Sequence, residues 1–74
     1  MTHEEFLEKF QDVLQAEDPL GMDTVLEDLD EWDSLARMAT VAFLDSDFGV
    51  QATFEDFTTM KTVADVARKA GIAS

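Results

Sequence analysis

The sequence has no cysteine and no tyrosine, one histidine, one proline and three glycines. Without cysteine there is no disulfide staple, no thiolate metal site and no thiol nucleophile. A lone histidine and so few glycines leave little for general acid–base catalysis or a long glycine-rich phosphate loop. Positive charge is scarce as well: five Lys and Arg stand against seventeen Asp and Glu, a formal net charge of -12. Such a surface repels nucleic-acid phosphates and anionic lipid heads, and it favours a partner with a basic face. No apolar run is long enough to cross a bilayer, and no basic-then-apolar signal segment opens the chain. The expectations are no nucleic-acid binding, no membrane insertion and a cytoplasmic setting.

What is present reads as one small helical domain. The 74 residues are 46% hydrophobic and 30% charged, a globular mixture with room for one core, so a single domain over residues 1–74 is expected. Ordering a residue costs about 1.5 kcal/mol of conformational entropy. With self-repulsion added, the domain should be marginally stable and helped by salt.

Thr2-His3-Glu4-Glu5 has the spacing of a capping box, in which a hydroxyl and a carboxylate three residues apart satisfy each other's amides. Phe6, Phe10, Val13 and Leu14 follow at helical spacing, so a helix is expected from Thr2 to Ala16, ended by Glu17-Asp18-Pro19. Residues 17 to 33 keep no period. Leu20, Met22, Val25, Leu26 and Leu29 recur among acids, as in a long loop pinned to a core, with a short helical turn over Thr24 to Asp28.

Asp33 or Ser34 then serves as the N-cap of a second helix, Leu35 to Phe48, with Gly49 at its left-handed end. That helix is apolar on more than one stripe, so its outer side is offered to a partner. Val50-Gln51-Ala52 is too short for a sheet strand. Thr53 caps a short helix through Phe57, and Thr62 caps a last one carrying Val63, Val66, Ala67 and Ala70 before Gly71. Three longer helices, one short helix and a long first loop make an all-α four-helix bundle. Nothing resembles a heptad seam, so a monomer is expected.

Few residues could carry chemistry. Asp45, Asp47 and Asp56 sit at the first, third and twelfth positions of a calcium loop, but the sixth position is Val50 where glycine is required, and no metal site is expected. Trp32, beside a helix start, reads as a plug on the core's end, with a stacking platform as the other reading. Phe43, Phe48, Phe54 and Phe57 read as core around the second and short helices. No base or orienting partner accompanies Ser34, so it is a poor autonomous nucleophile and the chain is not expected to be an enzyme. Capping alone accounts for a serine at this place. It is also a good acceptor for an enzyme-installed phosphate, which would meet unpaired amides and the positive end of the helix dipole.

Glu31-Trp32-Asp33-Ser34-Leu35, followed by an apolar helix ending in Asp47-Phe48-Gly49-Val50, resembles the acyl and peptidyl carrier proteins. The likeness extends through Phe54-Glu55-Asp56-Phe57 and Met60-Lys61-Thr62-Val63-Ala64-Asp65-Val66, and so covers essentially the whole chain. It implies that Ser34 receives a 4'-phosphopantetheine arm from coenzyme A through a separate magnesium-dependent phosphopantetheinyl transferase, with Asp33 assisting near the metal. It implies that Leu35 and Met38 lie on the surface that docks partner enzymes, and that Asp45 and Asp47 meet basic partner surfaces. Cargo is then held as a thioester, and Phe43, Phe54 and Phe57 are candidates to line an acyl pocket. The partners implied are the transferase, an acyl- or aminoacyl-loading ligase and downstream biosynthetic enzymes.

Two positions differ from general fatty-acid carriers. Trp32 stands two before the serine, where those proteins often have glycine, and Arg37 occupies a first turn that is commonly acidic. Arg37 also brings a bidentate donor close to the arm's phosphate. Both differences point to a free-standing carrier in a specialised pathway, handling an amino acid or a short acyl group. A housekeeping fatty-acid carrier is the alternative, and an acidic helical adaptor without a prosthetic group is the second.

Overall fold

The computed structural model describes residues 2–72; residues 1, 73 and 74, the ends of the expected 1–74 domain, lie outside the described residues. Four helices and no β-strand occur among the described residues: α1 His3–Leu14, α2 Ser34–Phe48, α3 Phe54–Thr59 and α4 Val63–Lys69. The chain is all-α, as its periodicities predict.

Helix α1 starts where the capping box places it. The Glu5 amide donates to Thr2 Oγ1 and the Thr2 amide to Glu5 Oε1, each at 3.2 Å. The Thr2 backbone and hydroxyl bonds hold the Glu5 carboxyl below its usual range, with Lys9 adding to the effect. Phe6, Phe10 and Leu14, each four apart, form the buried stripe. The helix stops at Leu14, short of the expected Ala16, because Gln15 takes a left-handed conformation with φ 53°. That turn sends the amides of Gln15 and Ala16 back to the carbonyls of Asp12 and Gln11, at 3.1 Å each. The chain reverses before Pro19 can act.

The loop from Gln15 to Asp33 is fastened across the molecule. The Leu26 amide donates to Lys61 O at 2.9 Å, the Val63 amide to Thr24 O at 3.0 Å and the Ala64 amide to Met22 O at 2.8 Å. These bonds surround an isolated antiparallel bridge between Val25 and Thr62. Leu20 and Leu26 are buried beneath it. The helical turn expected over Thr24–Asp28 is a 3-10 turn over Leu26–Asp28 only, since the bridge keeps Val25 extended.

Helices α3 and α4 repeat the capping chemistry. Asp56 Oδ2 accepts from the Thr53 amide at 2.9 Å, and Asp65 Oδ2 accepts from the amides of Lys61 and Thr62 at 2.8 and 3.1 Å. Helix α3 continues two residues beyond the expected Phe57. Gly71, with φ 88°, turns the chain after α4 so that the Ile72 amide returns to Ala67 O at 3.0 Å.

The core is aromatic. Phe6 packs on Phe10 at 5.5 Å between centroids and on Phe43 at 5.9 Å, and Trp32 meets Phe57 edge-on at 5.5 Å. Trp32 therefore closes the end of the core, as a plug. Thr40 is fully buried in this apolar setting because its hydroxyl donates to Ala36 O at 2.8 Å within α2. Phe54, expected inside, is 50% exposed: as the first residue of a short helix it is turned outward, while Phe57, three residues on, is buried.

Candidate functional site

The start of α2 carries the candidate site. Asp33 is extended (φ -124°, ψ -169°) and its Oδ1 accepts from the Ala36 amide at 2.9 Å, so Asp33 is the N-cap. Of the two candidate caps, Ser34 is excluded. It is the first helical residue, it is exposed, and its hydroxyl makes no hydrogen bond among the described residues. The Ser34 and Leu35 amides sit at the helix start, where no intrahelical acceptor exists. A hydroxyl presented beside such amides, at the positive end of a 15-residue helix, suits an anionic phosphodiester. These residues fit a phosphate-linked arm.

Around this point α2 shows an apolar outer face. Leu35 is 75% and Met38 57% exposed, while Ala36, Thr40, Phe43 and Leu44 on the opposite side are buried. Asp45 and Asp47 are exposed in the last turns of α2, and Asp45 lies about 15 Å along the helix from Leu35 at the usual rise. The two acids differ in availability: Asp47 pairs with Lys9 of α1 at 3.7 Å, whereas Asp45 is in no ion pair among the described residues. Asp56, the third acid of the incomplete calcium pattern, is engaged by the Thr53 amide and by Lys69 at 3.6 Å. That backbone bond, followed by the Lys69 charge, holds its carboxyl below the usual range. No group of three or more His, Asp or Glu able to hold a metal occurs among the described residues.

Two clefts are lined by sequence neighbours of Ser34, though not by Ser34 itself. One, of about 380 Å³, lies toward the end of α1 and is lined by Val13, Leu14, Glu31, Asp33, Leu35 and Ala39 among others. The second, of about 390 Å³, lies toward α3 and is lined by Trp32, Arg37, Phe54, Phe57 and Met60 together with Glu27 and Thr58. The Arg37 guanidinium stands 5.7 Å from the Trp32 ring centroid, over its face. Of the three candidate pocket phenylalanines, Phe54 and Phe57 line this second cleft. Phe43 does not; it is buried in the core against Phe6 and Phe10. Glu27, Thr58 and Met60 carry no sequence signal for this role, because Glu27 comes from the 3-10 turn and the other two from α3 and its C-cap, which only the fold brings together.

Among the described residues, then, a serine is exposed at the head of the longest of four helices. The family model described as a phosphopantetheine attachment site matches residues 4–69, and the chain belongs to that family. It is accordingly a carrier protein for a covalent 4'-phosphopantetheine arm, and not an enzyme. No curated protein and no solved structure gives a significant match. No helix among the described residues is long and apolar enough to cross a membrane.

Proposed function

We propose that Ser34 is the residue to which the arm is attached, and that the chain serves a specialised pathway as a carrier of short acyl or aminoacyl groups. The observation that carries the attachment is the division of labour at the head of α2: Asp33 caps the helix and the exposed Ser34 hydroxyl caps nothing. Once attached, the arm supplies a terminal thiol that holds cargo as a thioester and moves it between active sites at high effective concentration. Asp33 fixes the helix start beneath the acceptor hydroxyl. Leu35 and Met38 offer the apolar patch on which a transferase or a cargo-processing enzyme closes, and Asp45 provides charge for a basic rim. We assign these roles to a monomeric, cytoplasmic carrier in which residues 1–74 form a single domain.

Short cargo is favoured by the packing. The interior between α1 and α2 is filled by Phe6, Phe10 and Phe43, and an alkyl chain entering there would have to displace rings already in contact. The apolar Ser34 surroundings, with Arg37 in the first turn of α2, also differ from the acidic first turn of a general fatty-acid carrier. Incubation with coenzyme A, magnesium and a broad-specificity transferase should add one phosphopantetheinyl mass, and Ser34→Ala should abolish the gain. Preferential loading by an adenylating ligase supports the specialised reading; efficient long-chain loading by fatty-acid enzymes contradicts it.

A further inference from the structure

The two clefts lined by neighbours of Ser34 are nearly equal in volume, about 380 and 390 Å³, so size does not decide which of them receives a group attached to Ser34. Charge does. The charged residues lining the α1-side cleft are Glu31 and Asp33, both acids, and they repel a phosphodiester. The α3-side cleft carries one acid, Glu27, and the cation Arg37, so its charges balance where those of the other are both negative. Lys9, Arg68 and Lys69 are each paired with an aspartate, whereas Arg37 and Lys61 are in no ion pair among the described residues, and of these two only Arg37 lines a cleft and lies close to Ser34 in sequence. It lies over Trp32 instead. A guanidinium on an aromatic face keeps its in-plane N–H groups for a bidentate acceptor. Arg37 is also three residues after Ser34 on the same helix, which places the two Cβ atoms about 5–6 Å apart.

We propose that Arg37 is a positioning residue for the arm: it holds the phosphodiester on Ser34 and lays the adjoining branched segment across Trp32 and Phe54 in the α3-side cleft. The inference rests on Ser34 being the attachment residue. The segment next to the phosphate carries two geminal methyl groups, which suit a wall made of Trp32, Phe54 and Met60. Only the near end of the arm is seated, and its thiol end remains outside for partner enzymes. The arm thus leaves α2 on the α3 side, and the Leu35–Met38 patch stays uncovered for docking.

The test uses the full chain, loaded by a transferase and checked by intact mass. Trp32 is the only tryptophan of the sequence, so its indole protons are unambiguous probes in NMR. Loading should shift the Arg37 Nε–H resonance and produce nuclear Overhauser contacts between the indole and the geminal methyls. Arg37→Gln, loaded to the same mass, should lose those contacts, while Arg37→Lys should keep them in weakened form. A loaded wild-type protein without the shift and the contacts overturns the proposal. So do contacts that persist in full in Arg37→Gln, or methyl contacts to Val13 and Leu35 in place of Trp32. If no mass is gained, the attachment reading falls first and this inference with it, an outcome distinct from loading without contact.

Discussion

Replacing Asp33 and Ser34 separately by alanine tests the division of labour at the head of α2. Asp33→Ala removes the 2.9 Å bond to the Ala36 amide and one charge from the positive end of the helix. Loss of an N-cap costs about 1 kcal/mol, within a range of about 0.5–2, and the lost charge–dipole interaction adds about 0.3–1 kcal/mol at low salt. Against this, removing one acid from a chain of net charge -12 relieves some repulsion, so the measurement belongs at moderate ionic strength, where long-range terms are screened. Ser34→Ala removes an exposed hydroxyl without a partner and should stay within about 0.5 kcal/mol of wild type. Urea unfolding followed by circular dichroism gives both numbers, provided the slope is unchanged so that the midpoint shift reports stability. Asp33→Asn should recover most of the loss, because asparagine caps as well as aspartate. A Ser34→Ala loss of about 1 kcal/mol or more, with Asp33→Ala silent, would refute the assignment and return Ser34 to the role of a cap.

Three further outcomes follow from the same structure. Phe10→Ala, at a fully buried position of the ring cluster, should cost about 3–5 kcal/mol. Against a total of about 4–11 kcal/mol expected for a chain of this size, it should leave little cooperative thermal unfolding; a transition near the wild-type temperature contradicts this. Added sodium chloride should raise the urea midpoint by screening the acidic surface, and a midpoint that falls with salt contradicts it. Carboxyl titration by NMR should place Glu5 below its ordinary 4.5 and Asp56 below 3.8. Both groups therefore stabilise the folded state fully above those values, and their contribution is lost as pH falls through the depressed folded-state values. Unshifted titrations would mean that the boxes at α1 and α3 are open in solution.

The helices were legible where their signals are local. Three Thr residues followed three positions later by an acid mark the starts of α1, α3 and α4, and Gly49 ends α2. The carrier resemblance singles out Ser34, and the structure leaves that residue exposed at the first position of α2. Misreadings arose where distant segments decide. The bridge between Val25 and Thr62 joins residues with no shared pattern, so neither the fastening of the long loop nor its 3-10 turn could be read from either segment alone. Gln15 adopts a left-handed turn usually signalled by glycine or asparagine, which hid the end of α1. Thr40 looks polar in sequence and is buried because its hydroxyl is satisfied inside its own helix. Phe54 looks like core and faces outward, because a six-residue helix has too few turns for its pattern to say which of its phenylalanines points in. The second cleft gathers Glu27, Arg37, Thr58 and Met60 from separate segments, and only the fold shows that they meet.

The central claim is that the Ser34 hydroxyl accepts the arm. Intact-mass analysis after incubation with coenzyme A, magnesium and a transferase, followed by fragmentation to locate the added group, addresses it directly. A single phosphopantetheinyl addition on Ser34, absent from Ser34→Ala, is the predicted result. An unmodified wild-type protein under conditions that modify another carrier, or an addition on any other residue, would contradict it.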